Sequence, residues 1–222
     1  MTQQPPEIDI YCERVFAGLF DEPLNLISNA AFLIAAYTLL LLSRKHISPE
    51  HRAQSYDIFF LIAFVAIIGM GSALFHSYAT LWSKFADVIP ILIFQLGFIA
   101  IYASRIMKLS KIKILGLIAV FFALSIGSGF FPYDWLNGSL GYAPALIFVL
   151  GFGIYHFKSG KTEPRILLFA AAAFAVSLTF RSIDNAVCYS FPMGVHYMWH
   201  ILNGLVLYLS VRAVIVNVKY KS

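Results

Sequence analysis

Three histidines, an aspartate and a serine stand out in a chain otherwise poor in ionisable groups: His76, His196, His200, Asp87 and Ser72. His196 and His200 are four residues apart and share one face of a helix, and Ser72 stands in the same relation to His76. Three imidazoles leave the fourth position of a tetrahedral zinc open for water, the arrangement of a catalytic site rather than a structural one. Imidazole suits zinc, whereas a set of carboxylates suits calcium or magnesium. A zinc so held lowers the pKa of its water to about 7. Asp87 is then the candidate general base, and Ser72 the candidate to hold the water or hydrogen-bond the developing oxyanion. Each part has a plainer reading when taken alone, since an isolated intramembrane histidine such as His76 more often bridges two helices than binds a metal.

The elements that must position these residues are membrane helices. The chain has 222 residues, 60% of them hydrophobic and 12% charged, with a mean hydropathy of +0.79. A soluble domain carries about twice that charge. The apolar residues fall in blocks of roughly 18–22, the length a helix needs to cross a ~30 Å hydrocarbon core. Seven blocks are predicted, at 24–42, 56–76, 85–104, 114–131, 140–157, 165–184 and 196–216. The expected fold is therefore all-α, one seven-transmembrane domain over 1–222, with an extracytoplasmic N-terminal segment over 1–23 too polar and acidic to read as a signal peptide. Ionisable residues inside such spans are functional candidates by default. His76, Asp87, His196 and His200 all fall at the same end of the predicted bundle.

Charge orients the bundle. Arg44, Lys45 and Arg52 follow the first span, Arg105, Lys108, Lys111 and Lys113 the third, and Lys158, Lys161 and Arg165 the fifth. Arg212, Lys219 and Lys221 close the chain, so one side holds 13 of the 16 Lys and Arg residues, against Arg14, Lys84 and Arg181 on the other. Short basic loops stay cytoplasmic, which places the N-terminus outside and the C-terminus in the cytoplasm. The net charge of +5 is thus a topology signal and not a nucleic-acid signal. Eight of the 11 acids, Glu7, Asp9, Glu13, Asp21, Glu22, Asp87, Asp134 and Asp184, fall on the outer side, where a bound cation, catalysis or simple solvation would each account for them.

Cys12 and Cys188 also fall outside, where disulfides persist. A bridge would tie the N-terminal segment over the mouth of the bundle; two buried free thiols are the alternative. Gly69, Gly71 and Ala73 are expected to permit close helix contact. Pro90 is expected in the first turns of its helix, where proline costs least. Tyr133 and Trp135 read as interfacial anchors, and His46, His51 and His156 as interfacial residues of the cytoplasmic side.

Four blocks resemble the alkaline ceramidases, in particular their short bacterial branch, within a superfamily that includes the progestin and adiponectin receptors. They are Asp9-Ile-Tyr-Cys-Glu13, Glu22-Pro-Leu-Asn-Leu-Ile-Ser-Asn29, Gly71-Ser-Ala-Leu-Phe-His76 with Asp87 eleven residues on, and Ile183-Asp-Asn-Ala-Val-Cys188 followed by His196-x-x-x-His200 with an aromatic between the histidines. The resemblance implies zinc ligands at His76, His196 and His200, catalytic or water-positioning roles for Ser72 and Asp87, and a Cys12–Cys188 disulfide. It also implies calcium bound by acids of the N-terminal segment, here Asp9, Glu13 and Glu22 with the carbonyl of Tyr11. This chain departs from that last pattern. Asp9 is displaced by one residue, Val15 stands where an asparagine is expected, and the stretch from Glu13 to Glu22 is shorter. A calcium ion needs about six to eight oxygens.

The function expected is an intramembrane zinc-dependent amidase that hydrolyses the N-acyl bond of ceramide-like lipids to a sphingoid base and a fatty acid. Its partner is a membrane lipid, with neither nucleic acid nor an obligate protein partner evident. Two other readings stand beside it: a seven-helix receptor or sensor with a structural zinc, and a related lipid-remodelling esterase. The expected location is a multi-pass membrane position, in the bacterial inner membrane or, for a eukaryotic chain, an ER- or Golgi-type membrane.

Overall fold

The computed structural model describes residues 8–16, 18–132 and 135–220. Glu7, Tyr133, Asp134 and Lys221 lie outside them. Among the described residues eight α-helices form: α1 (Pro23–Ser28), α2 (Ala30–His46), α3 (Tyr56–Tyr78), α4 (Leu81–Arg105), α5 (Lys111–Ser128), α6 (Ala143–Lys158), α7 (Ile166–Val187) and α8 (His196–Ile215). With α1 and α2 joined at Asn29, and a 3₁₀ stretch over Trp135–Tyr142 leading into α6, these make seven helices long and apolar enough to cross a membrane. The chain is an integral, multi-pass membrane protein.

The expected spans recur with shifted ends. The first extends through Arg44, Lys45 and His46, because long basic side chains reach from a helix end to the interface. The fourth lies three residues earlier than expected at both ends, over Lys111–Ser128. Its C-terminal end tightens into a turn, with Gly129 N–H on the Ile126 carbonyl and Phe130 N–H on Gly127.

Helix α8 stands at the centre and packs on α2, α3, α4 and α7. Helix α5 is peripheral, with Phe121 its buried side chain. The core runs through Leu39, Ile58, Leu61, Ile99, Tyr102 and Leu167. On this core His156 is fully buried, not interfacial as expected. Its ring is satisfied at both nitrogens, Nδ1 by the Tyr102 hydroxyl at 2.7 Å and Nε2 by the Thr162 carbonyl at 3.1 Å, which is what allows a histidine to sit there.

Helices α3 and α4 form a tight antiparallel hairpin that sets the spacing of the site. Ala79, at φ 44°, ends α3, and Thr80 starts α4 at once, its N–H on the Ser83 hydroxyl at 3.0 Å. Two of the small residues permit close approach, Gly71 toward α4 and Gly69 toward α2. A Cβ on Gly71 would lie 2.0 Å from the Ala86 carbonyl oxygen, and one on Gly69 2.7 Å from Phe32 Cβ. Pro90 lies inside α4, beyond its first turns. Its missing N–H removes the helical partner of the Ala86 carbonyl, and that carbonyl is the group resting on Gly71. The helices meet where one has no side chain and the other has a carbonyl without its usual helical partner.

Candidate metal centre

His76 lies in the last turn of α3, and His196 and His200 in the first turns of α8. One ligand atom from each comes within 4.8 Å of the others, and the three are 1–2% exposed. The second nitrogens are held from elsewhere. His76 Nδ1 lies 2.6 Å from Glu22 Oε2, and His200 Nδ1 lies 2.7 Å from Ser28 Oγ. A carboxylate only accepts, so His76 Nδ1 carries a hydrogen. The Ser28 hydroxyl donates to the Asn25 carbonyl at 2.9 Å, so it accepts from His200 Nδ1. For neutral rings this network leaves both Nε2 atoms with bare lone pairs, 3.1 Å apart. Two lone pairs facing at that distance repel unless a cation lies between or beside them. His196 adds a buried Nδ1 with no hydrogen-bond partner. This donor set fits a metal ion, with the outer-shell partners that fix ligand tautomers in metal sites.

The N-terminal segment roofs the centre. The Tyr11 ring stacks on His196 with centroids 3.7 Å apart, and burial pushes its phenol well above the usual range. The Cys12–Cys188 disulfide ties this segment to the end of α7. Asp184, one of the eight outer acids and part of the fourth resemblance block but given no role there, is fully buried and organises the junction. Its Oδ2 accepts the Cys12 N–H at 3.1 Å, and its Oδ1 accepts those of Val195 at 2.7 Å and His196 at 2.9 Å. A carboxylate at a helix N-terminus also complements the helix dipole. Gly194, at φ +62°, is needed beside it, since a Cβ there would lie 2.3 Å from Asp184 Oδ1.

Ser72 and Asp87 both line one cavity with His200. Its remaining wall is largely apolar, with Phe94, Phe98, Phe148 and Phe174 among its residues. Along α4 it runs from Asp87 to Ile99, roughly 18 Å at 1.5 Å per residue. Sequence reasoning missed Arg181, buried on α7 with its guanidinium 5.4 Å from the Tyr142 ring and 5.8 Å from the Trp199 ring. Both rings line this cavity. An arginine within a membrane span was the available signal.

The acids expected to hold calcium do not fit that ion. Glu13 turns its two oxygens to the backbone N–H groups of Leu24 and Asn25, at 2.6 and 2.8 Å. Glu22 binds Arg14 Nε at 2.7 Å through Oε1, and His76 and Asn25 through Oε2. The Tyr11 carbonyl accepts the Arg14 N–H at 3.4 Å, and Asp9 is exposed. Burial raises the Glu22 carboxyl, but hydrogen bonds from His76, Asn25 and Arg14 outweigh it and hold the group below its ordinary value. Burial lifts Glu13 above its own, against the two backbone donors.

Fold and site together define an integral membrane protein with a buried three-histidine cluster able to hold a metal ion, one of whose histidines lines an apolar cavity. The Ceramidase family model matches residues 7–221, and the chain belongs to that family of amide hydrolases. No curated protein matches it.

Proposed function

We propose that the protein is a zinc-dependent amidase working at the membrane edge on ceramide-like lipids, with His76, His196 and His200 as the ligands and Ser72 and Asp87 as the catalytic pair. The observation that carries this reading is the continuity of the three-histidine centre with the apolar cavity through Ser72, Asp87 and His200. A purely structural metal would be closed off. When bound, zinc supplies Lewis acidity toward a carbonyl oxygen and toward water.

The acyl chain lies along the phenylalanine-lined slot, which places the amide at its polar end. Ser72 donates to the carbonyl oxygen as negative charge develops there. Asp87 takes a proton from the attacking water and returns it to the leaving nitrogen as the C–N bond breaks, giving a fatty acid and a free amine. Tyr11 and the disulfide-tethered N-terminal segment limit the water that reaches the centre. The basic loops support an outside N-terminus, with the reaction at the outer headgroup level.

Purified protein incubated with ceramide and, separately, with an ester analogue of the same chain length tests the reading by mass spectrometry of the products. Release of fatty acid and sphingoid base, lost in Asp87→Asn and Ser72→Ala, is expected. Turnover of the ester alone would shift the assignment to an esterase. Undiminished amide hydrolysis by metal-free protein would end it.

A further inference from the structure

Where the family resemblance calls for a calcium ion, this chain has placed an arginine. Arg14 follows Glu13 directly and is 6% exposed, against the buried carboxylate of Glu22. Its Nε donates to Glu22 Oε1 at 2.7 Å, its Nη2 to the His76 carbonyl at 3.2 Å and its Nη1 to the Gly18 carbonyl at 3.4 Å. One planar cation thus ties together the N-terminal segment, the residue capping α1 and the last turn of α3. We propose that the Arg14 guanidinium is a built-in replacement for calcium, a fixed internal cation that neutralises Glu22 and through it aims the His76 ring, so that the metal centre assembles without calcium.

Three observations carry this. The oxygens that would have to converge on a calcium ion already face N–H donors: both of Glu13, both of Glu22, and the Tyr11 carbonyl. Asp21, another acid of the segment, turns its Oδ2 to the Val15 N–H at 3.0 Å, and Asp9 is exposed, the one expected ligand not held by a donor among the described residues. A site for six to eight oxygens cannot form there without first expelling those donors. Second, a dication beside a guanidinium would meet a like charge at short range, and arginine cannot lose its proton to relieve it. Third, Arg14 reaches His76 in two ways, through Glu22 (Nε to Oε1, then Oε2 to His76 Nδ1 at 2.6 Å) and directly at the His76 carbonyl at 3.2 Å. It is not among the residues lining the cavity of Ser72, Asp87 and His200, so its part is positioning. This rests on family membership and on the three-histidine centre, not on which lipid is cleaved.

The test uses the full-length protein in detergent, passed over a chelating resin and resupplied with zinc alone. Calcium and zinc content by mass spectrometry and the unfolding temperature with and without millimolar calcium are read together. Zinc near one per chain, calcium far below one, and an unfolding temperature indifferent to calcium are expected. Zinc affinity, by competition against a fluorescent chelator, is expected to weaken by about 10- to 100-fold in Arg14→Gln, the usual effect of losing an outer-shell partner. Arg14→Lys recovers part of it, because it keeps the charge but not the fork. Calcium retained at one per chain with a raised unfolding temperature overturns the proposal, as does Arg14→Gln with unchanged zinc affinity. If Arg14→Gln does not fold, the wild-type calcium measurement decides alone. Failure to hydrolyse any ceramide-like lipid, with the metal results as expected, would refute the proposed substrate and leave this inference standing.

Discussion

His76 and His200 point their Nε2 atoms at one another across 3.1 Å, while Glu22 and Ser28 occupy the nitrogens behind. The rings are held by residues 54 and 172 positions away in the chain. The facing lone pairs make the centre unstable toward itself and stable toward a cation.

Metal removal is therefore expected to cost stability as well as activity. A ligand present at about a hundred times its Kd stabilises the folded state by ~2.7 kcal/mol. Chelated protein should unfold at a clearly lower temperature and recover on zinc addition. His200→Ala should bind no zinc and show no such recovery. A chelator-insensitive unfolding temperature would contradict the assignment of the centre.

The Gly71–Ala86 contact predicts intolerance of a single methyl group. A Cβ at 71 would lie 2.0 Å from a backbone oxygen that no side-chain rotation can move. Gly71→Ala should destabilise by about 1–3 kcal/mol and depress kcat by separating Ser72 from Asp87. Gly116→Ala, where nothing lies within 4 Å, is the matched control and should be neutral or slightly stabilising. Equal behaviour of the two variants in thermal unfolding would refute the close approach.

Asp184 accepts three backbone N–H groups at the start of α8. Asp184→Asn presents an amide hydrogen to at least one of them. Leaving a buried donor without an acceptor costs about 1–3 kcal/mol. The variant should lose stability and also bind zinc more weakly, because His196 N–H is one of the three. Zinc affinity equal to wild type would restrict Asp184 to a purely structural part.

At the opposite end, Glu163 pairs with Arg212 on α8, and the guanidinium hydrogen bond holds its carboxyl below the ordinary value. A depressed folded pKa contributes stability above the unfolded pKa of about 4.3 and loses it as pH falls through the folded value. The pair is roughly a third exposed, so at pH 7 Glu163→Gln should cost no more than about 1 kcal/mol. The difference in unfolding temperature between wild type and variant should shrink as the pH drops below 4. A difference constant with pH would assign the effect to packing.

By itself the sequence determined the class of molecule and the three histidines that come together. Span length, basic loops and the His196-x-x-x-His200 repeat are local properties, and a bilayer converts them directly into helices and into residues at one level. Which cysteines could pair, and that Gly71 permits close approach, followed from the same levels. The tertiary structure decided everything that depends on a partner far along the chain. Glu22 and Ser28 behind the histidines, Arg14 among the acids read as calcium ligands, and Asp184 beneath His196 were visible in the sequence without the partners they hold. His156 looked interfacial until Tyr102 and Thr162 were seen to satisfy it in the core. The physical reason is common to all of them. A residue's type fixes what hydrogen bonds it must make, but only packing fixes which neighbour supplies them.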